Sequence, residues 1–420
     1  MKRLLAFLLA LTMSLGLAAS FASADDEVVD IHFLLVAGND EMPGWQGIVD
    51  AFNEDHTDIH VTLEQLPGGW AEYIQKLTTL IAAGSPPDVG RMGVAYMAQF
   101  ASKGQLADLT ELVEQDLDMS NYYENAFEQI KIDGKIYGIP IGIYTMIMFY
   151  NKDMFDAAGI EYPSMNWDST WTLDEFVEIA KQLTSGEGLE KNYGFYANFD
   201  PERAVPFIYG MDADYLTADH KTSTINDAAI VSYYNLMQEM IYSLGIAPTA
   251  AQAETMSSTQ MFMAGRLAML GDGQWQMPSL NTEDDYNYGA APIPGGRTNN
   301  FIDQYVIFEG STKKEAAWEV VKSFIDEKAE NIMVDNSLGG IPINKNVAQD
   351  RIEDLFDPLP MDEKLMMLES VDYSKSLPFT ANWAELMDVV NVYTDLISLN
   401  EMSAQEALDA AAEEMDTMLK

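Results

Sequence analysis

The side chains able to do chemistry are few in kind. There are four histidines, His32, His56, His60 and His220, and no cysteine. Only His56 and His60 stand four apart, and they straddle a predicted helix-to-strand boundary, so they share no face and read as surface groups. No G-x-S-x-G, H-E-x-x-H or P-loop pattern occurs. Sixty-seven carboxylates guarantee chance pairs, so two acids at glycosidase spacing carry no information. Asp212-Ala213-Asp214 and Glu283-Asp284-Asp285 do not fit a calcium loop and read as solvated acidic turns. Tyr122-Tyr123 and Tyr233-Tyr234 are phenol pairs of the sort hard ferric iron favours. Both pairs fall in predicted helices, where adjacent residues diverge, which predicts one ring in the core and one at the surface. The expectation is no enzyme, no metal and no cofactor. What recurs instead is an aromatic ring beside polar side chains in loops.

Those loops belong to a particular architecture. A strand over Val29–Val36 runs into Gly38-Asn39-Asp40. A helix follows with Trp45, Ile48, Val49 and Phe52 at helical spacing. Ile59–Leu63 is a second strand, and Tyr73, Leu77, Leu80 and Ile81 mark the next helix, ended by Gly84-Ser85-Pro86-Pro87-Asp88. The apolar run Ile139–Tyr150 is too short to span a bilayer and reads as a buried strand. Thr172-x-x-Glu175 and Thr312-x-x-Glu315 are capping boxes, and Ser403 caps a last helix. Strand alternating with helix argues for mostly parallel sheet with helices on both faces.

In such sheets ligands bind beyond the carboxyl ends of the strands. The loops to search are Ala37–Trp45, Leu66–Trp70, Gly90–Val94, Gly142–Thr145, Tyr196–Asp200 and Gly271–Trp275. Five of these six carry Trp or Tyr in or at their edge. An isolated aromatic is ordinarily core. Recurrence at strand ends points instead to a stacking platform: a ring covers the C–H face of a pyranose while Asp, Asn and Arg bond its hydroxyls. Trp45, Trp70, Asn198 and Asp272 are candidates from loop position alone.

Charge and the amino terminus set the compartment. Lys2 and Arg3, the apolar stretch Leu4–Leu17 and Ala22-Ser23-Ala24 form a secretory signal over residues 1–24. The whole chain carries −44; removing Lys2 and Arg3 leaves 21 basic against 67 acidic residues, or −46. A polyanion of this size is repelled by phosphate backbones, so nucleic acid is not an expected partner. The charge is a solubilising surface or, on a sharper reading, a preference for cationic cargo such as a polyamine. With no cysteine there is neither disulfide nor lipid anchor, so the expectation is an exported, soluble protein, periplasmic or secreted. The missing anchor favours the periplasm.

Several segments together spell a family. Ile132-Asp133-Gly134-Lys135-Ile136-Tyr137-Gly138-Ile139-Pro140 precedes Met148-Phe149-Tyr150-Asn151-Lys152-Asp153-Met154-Phe155, then Ala157-Ala158-Gly159-Ile160 and Trp171-Thr172-Leu173-Asp174-Glu175-Phe176. Phe262-Met263-Ala264-Gly265-Arg266-Leu267-Ala268-Met269, Gly273-Gln274-Trp275, Pro292-Ile293-Pro294-Gly295-Gly296 and Gly339-Gly340-Ile341-Pro342 follow in order. This set, covering essentially the whole mature chain, resembles the sugar-type (family 1) extracellular solute-binding proteins of ABC importers, the class that includes maltose-binding protein.

The resemblance implies a two-lobed α/β fold, the type II periplasmic-binding-protein fold, each lobe a mixed, mostly parallel sheet flanked by helices. It implies a first lobe over 25–140 plus 303–340, a second over 144–300 plus 348–420, and hinge crossings at 140–144, 301–308 and 340–347. It implies a monomer that captures a sugar by hinge closure and delivers it to membrane permease subunits. Trp275 matches the aromatic that stacks on sugar from the second lobe, and Trp383 a second stacking position. Tyr144 sits where the family places a polar contact, Asn39 and Asp40 where it places carboxylates. Arg91 stands in Arg-Met-Gly where many relatives have an aromatic nearby, a departure that bears on specificity.

Overall fold

A computed structural model describes residues 28–39, 41–66, 68–281, 286–338 and 340–420. The secretory signal, Asp40 and the cluster Glu283-Asp284-Asp285 lie outside the described residues. Ten strands are named here in chain order: β1 Val29–Val36, β2 Ile59–Leu66, β3 Val89–Met92, β4 Ile139–Asn151, β5 Tyr193–Phe195, β6 Leu267–Gly273, β7 Tyr288–Ala291, β8 Thr298–Ile307, β9 Ile341–Pro342 and β10 Ser374–Ser376. They connect in the order β2-β1-β3-β8-β4-β6-β5, with β10 beside β8 and both β7 and β9 beside β4. β1 runs parallel to β2 and β3, while β8 runs antiparallel to β3 and β4.

β4 is the element on which the molecule turns. All thirteen of its residues are buried, as the unbroken apolar run Ile139–Tyr150 predicts. Its first half, Ile139–Thr145, pairs with β8 and β9, and its second half, Met146–Asn151, with β6 and β7. Two apolar cores follow from this division. Ile139, Ile141 and Ile143 join Ile31, Phe33, Ile48 and Phe52 in one. Met148 and Tyr150 join Phe176, Phe195, Phe207 and Leu386 in the other. A 13-residue strand buried on both faces needs β-formers throughout, and eight of its positions are Ile, Phe, Tyr or Thr.

The helices form where spacing and caps put them. Met42–Asp55 buries Trp45, Ile48, Val49 and Phe52 on one face. Thr172 and Glu175 make the reciprocal capping box of the helix Leu173–Leu183, and Ser403 caps Ala404–Met418. Thr312-x-x-Glu315 is not a capping box. The helix begins at Lys314 with no side-chain cap, because Ser311 takes the Lys313 N–H and itself donates to Asp88. The tyrosine pairs also differ from expectation. Tyr122 and Tyr123 flank a helix start rather than lying within a helix. Tyr233 and Tyr234 are both fully buried in Ala228–Tyr242, since their hydroxyls find partners inside, Asn198 O and the Tyr215 hydroxyl.

Candidate ligand-binding cleft

The carboxyl ends of β1 and β3 build one wall. Gly38 closes a turn by donating its N–H to Glu41 Oε2 at 2.7 Å. Arg91, on β3, is buried beside that turn. Its Nε and Nη2 both donate to Asp303 Oδ2, at 2.9 and 2.6 Å, and Nη1 donates to Val36 O at 3.0 Å. Glu41 Oε1 stands 3.6 Å from Nη1. Two indoles stand against the guanidinium, with the Trp45 ring at 5.2 Å and the Trp70 ring at 5.7 Å. Burial works against its charge, yet Asp303, the Tyr144 hydroxyl and Glu41 raise its pKa above the ordinary arginine value. Trp70 opens the helix Trp70–Ala82, half-buried, edge-on to Tyr73 and tilted against Tyr96 at 5.9 Å.

The floor comes from the strands that serve both cores. Tyr144 on β4 stands directly opposite Phe301 on β8. Its hydroxyl donates to Leu338 O at 3.4 Å. A Cβ on Gly340, which sits at φ +84°, would lie 3.1 Å from the Tyr144 ring, so glycine is needed there twice over. Burial pushes the Tyr144 phenol up, so it stays a neutral hydrogen-bonding group.

The second wall follows β6 and β5. Trp275 is half-buried just past β6, edge-on to Phe301 at 5.2 Å and 6.4 Å from the Tyr144 ring. Asp272 is buried; Oδ1 accepts from Gly273 N (2.8 Å) and Arg203 Nε (3.3 Å), and Oδ2 from Gln276 Nε2 (3.0 Å). Arg203 also donates to Asp200 Oδ2 at 3.0 Å. Asp200 caps the helix Pro201–Gly210 through the N–H groups of Glu202 and Arg203. Asn198 holds that turn, accepting the Asp200 N–H at 3.1 Å. Glu202 Oε1 accepts the Trp383 indole N–H at 3.0 Å, and burial pushes the Glu202 carboxyl up. Burial first, then the carboxylates of Glu202 and Asp388, push the Tyr96 phenol up, and Ala95 of the helix Val94–Ser102 packs against the second core.

The candidates therefore separate. Trp275 stands against Tyr144 and Phe301, Trp70 packs on Arg91 beside the ends of β1 and β3, and Asp272 lies buried near the end of β6. Trp45 does not present a face: it is 1% exposed, edge-on to Phe33 and Tyr305 in the first core, because it continues the Ile48–Val49–Phe52 face of its helix. Trp383, also 1% exposed, opens the helix Trp383–Ser398 and packs into the second core with Leu386 and Val390. Asn39 is exposed, its Oδ1 accepting from Gln65 Nε2 at 3.1 Å. Asn198 shapes a turn, and Asp40 lies outside the described residues. Residue-level reading did not find Glu41, Tyr96, Glu202, Arg203, Phe301 or Asp303. Only Asp200-Pro201-Glu202 carried a local signal, an N-cap followed by proline at the first helical position. A separate cavity of about 370 Å³ adjoins the β4 crossing, lined by Gly142, Gln274, Met277, Leu338, Ile341 and Phe356. Trp275, Tyr144 and Arg91 take no part in it. Among the described residues no His, Asp and Glu cluster is arranged to hold a metal.

Two cores joined by strands common to both, with rings and paired charges facing each other at the strand ends, define a two-lobed binding protein with an interlobe cleft. The chain matches the model of the bacterial extracellular solute-binding proteins over residues 47–361 and belongs to that family. A galactooligosaccharide-binding protein of Bacillus subtilis is 24% identical over 440 aligned positions, covering 100% of this chain and 98% of its own. A putative binding protein of Brucella abortus is 26% identical over 388 positions, 90% of each chain. An ABC substrate-binding protein of Listeria monocytogenes, solved in complex with cycloalternan, superposes with a TM-score of 0.83 at 25% identity, covering 94% of this chain and 99% of that one. The family resemblance read from the ordered motifs is thus borne out, as is the two-lobed α/β fold. Among the described residues no helix is long and apolar enough to cross a membrane.

Proposed function

We propose that this chain is the substrate-capturing subunit of an ABC importer and that its cargo is a sugar. The observation that carries the reading is Trp275: a half-buried indole past β6, braced edge-on by Phe301 and facing Tyr144, with carboxylate and amide groups around it. A pyranose laid on such a ring loses apolar area to the indole while its hydroxyls reach the polar side chains. The named relatives that bind oligosaccharides support the same reading. The family and the named relatives are binding proteins, and capture without chemistry is the function proposed.

The lobes in this reading are 25–140 plus 303–340 and 144–300 plus 348–420. β4 changes partners between Thr145 and Met146, and β8 pairs with β3 through Gln304–Ile307 and with β10 through Thr298–Asn300. These supply the crossings about which the lobes close, with the 340–347 segment as the third. Ligand drives closure only by binding the closed form better. The subunit acts as an exported monomer, freed of its signal, that docks on permease subunits.

The test is a thermal-shift screen of the mature chain against mono- and oligosaccharides, followed by calorimetric titration. A ligand at a hundredfold its Kd adds about 2.7 kcal/mol of stability. A shift with one saccharide series supports the reading; stabilisation by amino acids or polyamines alone removes the sugar assignment.

A further inference from the structure

Each wall of the cleft carries one arginine, and each arginine is already held by two carboxylates of the protein. Arg91 bonds Asp303 through two nitrogens and has Glu41 at 3.6 Å; Arg203 bonds Asp200 and Asp272. Each cluster sums to one cation and two anions, a net charge of −1, and on the second wall Glu202, its carboxyl pushed up by burial, adjoins Asp200 and Arg203. We infer that the cleft selects its cargo by charge, taking neutral and aminated saccharides and excluding uronic acids and sugar phosphates. The inference rests on the sugar reading above and narrows it.

The geometry of the arginines carries the argument. A solute anion binds an arginine through donors left free in the guanidinium plane, or by displacing what holds them. Arg91 has Nε, Nη2 and Nη1 engaged, and two indoles pack against it. Displacing Asp303, whose side chain is 14% exposed, would strand a carboxylate in a poorly hydrated site. Arg203 has Nε bonded to Asp272 and Nη1 to Asp200, so any approach to its outer Nη2 edge passes beside two carboxylates already paired with it, and the buried Asp272 spends its other oxygen on Gln276. An anion approaching either guanidinium would therefore meet cations whose charge is already matched by two carboxylates each, with those carboxylates beside any open donor. An ammonium placed where a hydroxyl stands meets Glu41 or Asp200, both partly accessible, without breaking either pair. The net charge of −44 over the whole chain adds to the discrimination at long range.

The test uses the purified full-length mature chain and disaccharides of the gluco, galacto and manno series. Each is offered in neutral, 2-amino-2-deoxy and uronate form, alongside spermidine and citrate, by titration calorimetry at low and high salt. The expected result is binding of the neutral and amino forms of one series. Its uronate should be weaker by about tenfold or more at low salt, the scale of one unit charge near a partly buried charge, with the gap narrowing as salt rises. Uronate binding as tight as the neutral sugar overturns the charge inference and leaves the sugar reading standing. Spermidine binding without any saccharide removes the sugar reading and with it the saccharide selectivity, and citrate binding alone overturns both. Glu41→Gln, at a loop position a third exposed, should shrink the neutral-to-uronate ratio several-fold. An unchanged ratio in a variant that still binds the neutral sugar would assign the exclusion to shape and refute the argument from charge.

Discussion

Replacing Trp275 by alanine separates a binding ring from a packing ring, and the structure sets both magnitudes. The indole is half-buried, and it rests on Phe301 at 5.2 Å and Tyr144 at 6.4 Å. Truncating a fully buried Trp costs about 3–5 kcal/mol. Because part of the ring is in solvent and only two aromatic rings brace it, the folding cost here is about 1–2 kcal/mol, a fall of a few degrees in Tm. The binding cost is separate. One face of a pyranose against the indole removes roughly 60–80 Å² of apolar surface from water, about 1.5–2 kcal/mol at 25 cal/mol per Å². That corresponds to a Kd about ten to thirty times higher. Trp275→Phe keeps a smaller ring and should recover most of the affinity. The assay is calorimetric titration of the sugar found by screening, with thermal denaturation of the same samples. A variant that loses several kcal/mol of stability, while its folded fraction binds with the original Kd, would show that the ring is core.

Three further perturbations test the site's supports. Asp303→Asn leaves Arg91 buried without the carboxylate oxygen that takes two of its N–H groups and should cost about 3–5 kcal/mol, whereas Arg91→Met in the same background should restore part of it; denaturant titration of the double-mutant cycle measures the coupling. Gly340→Ala forces an alanine to φ +84° with its Cβ 3.1 Å from the Tyr144 ring; it should cost about 1–3 kcal/mol and raise the Kd as Tyr144 is displaced, read by the same titrations. Glu330 is fully buried and accepts the Asn344 N–H, and burial pushes its carboxyl well above the ordinary glutamate value. The native state then binds more protons than the unfolded state between the unfolded pKa and the raised one, so this group's contribution to stability falls as pH rises through that window. Tm measured against pH should show wild type losing stability relative to Glu330→Gln on going from mildly acid to neutral pH; a constant difference refutes it.

Much of the fold was legible because burial and period leave marks on the sequence. Ile139–Tyr150 has no polar interruption long enough to face water, and it is the strand both cores share. The capping box at Thr172 is local chemistry and holds. Thr312-x-x-Glu315 has the same pattern but fails, because Ser311 is claimed by Asp88, 223 residues away in the chain. The aromatics divide by a rule available in the sequence. Trp45 continues the apolar face of its own helix with Ile48, Val49 and Phe52, and Trp383 does the same with Leu386, Met387 and Val390; both are core. Trp275 follows Gly271-Asp272-Gly273 and precedes Pro278, with no helical stripe to join, and it keeps an open edge. Arg91 is the residue for which local reading failed most. Its meaning depends on Asp303, 212 residues further on, and antiparallel pairing of β3 with β8 brings the two together.

That pairing also explains how a cleft residue can bear on closure. Arg91 ties the end of β1, through Val36 O, to Asp303 on β8, and β8 continues within the same strand to Phe301 against Trp275. On the neighbouring strand, Thr145 Oγ1 accepts from Gln274 and shares a hydrogen bond with Ser370, and Thr298 Oγ1 accepts the Met146 N–H. The residues where β4 changes partners are thus bonded to the segment carrying Trp275, to the C-terminal tail and to β8. Rotation of one lobe about that point cannot leave these bonds and the aromatic floor unchanged together. On the proposed reading, a sugar seated on Trp275 would act on the residues where β4 changes partners, which would couple affinity to closure through contiguous packing and hydrogen bonds. Glu41→Gln, which touches the first wall but not the crossing, should alter selectivity with little change in ligand-free dimensions by small-angle scattering. Thr145→Val removes the Oγ1 bonds to Gln274 and Ser370 and should alter those dimensions in the absence of any ligand. The opposite pattern, or no change in either, would break the link between the cleft and the crossing strands.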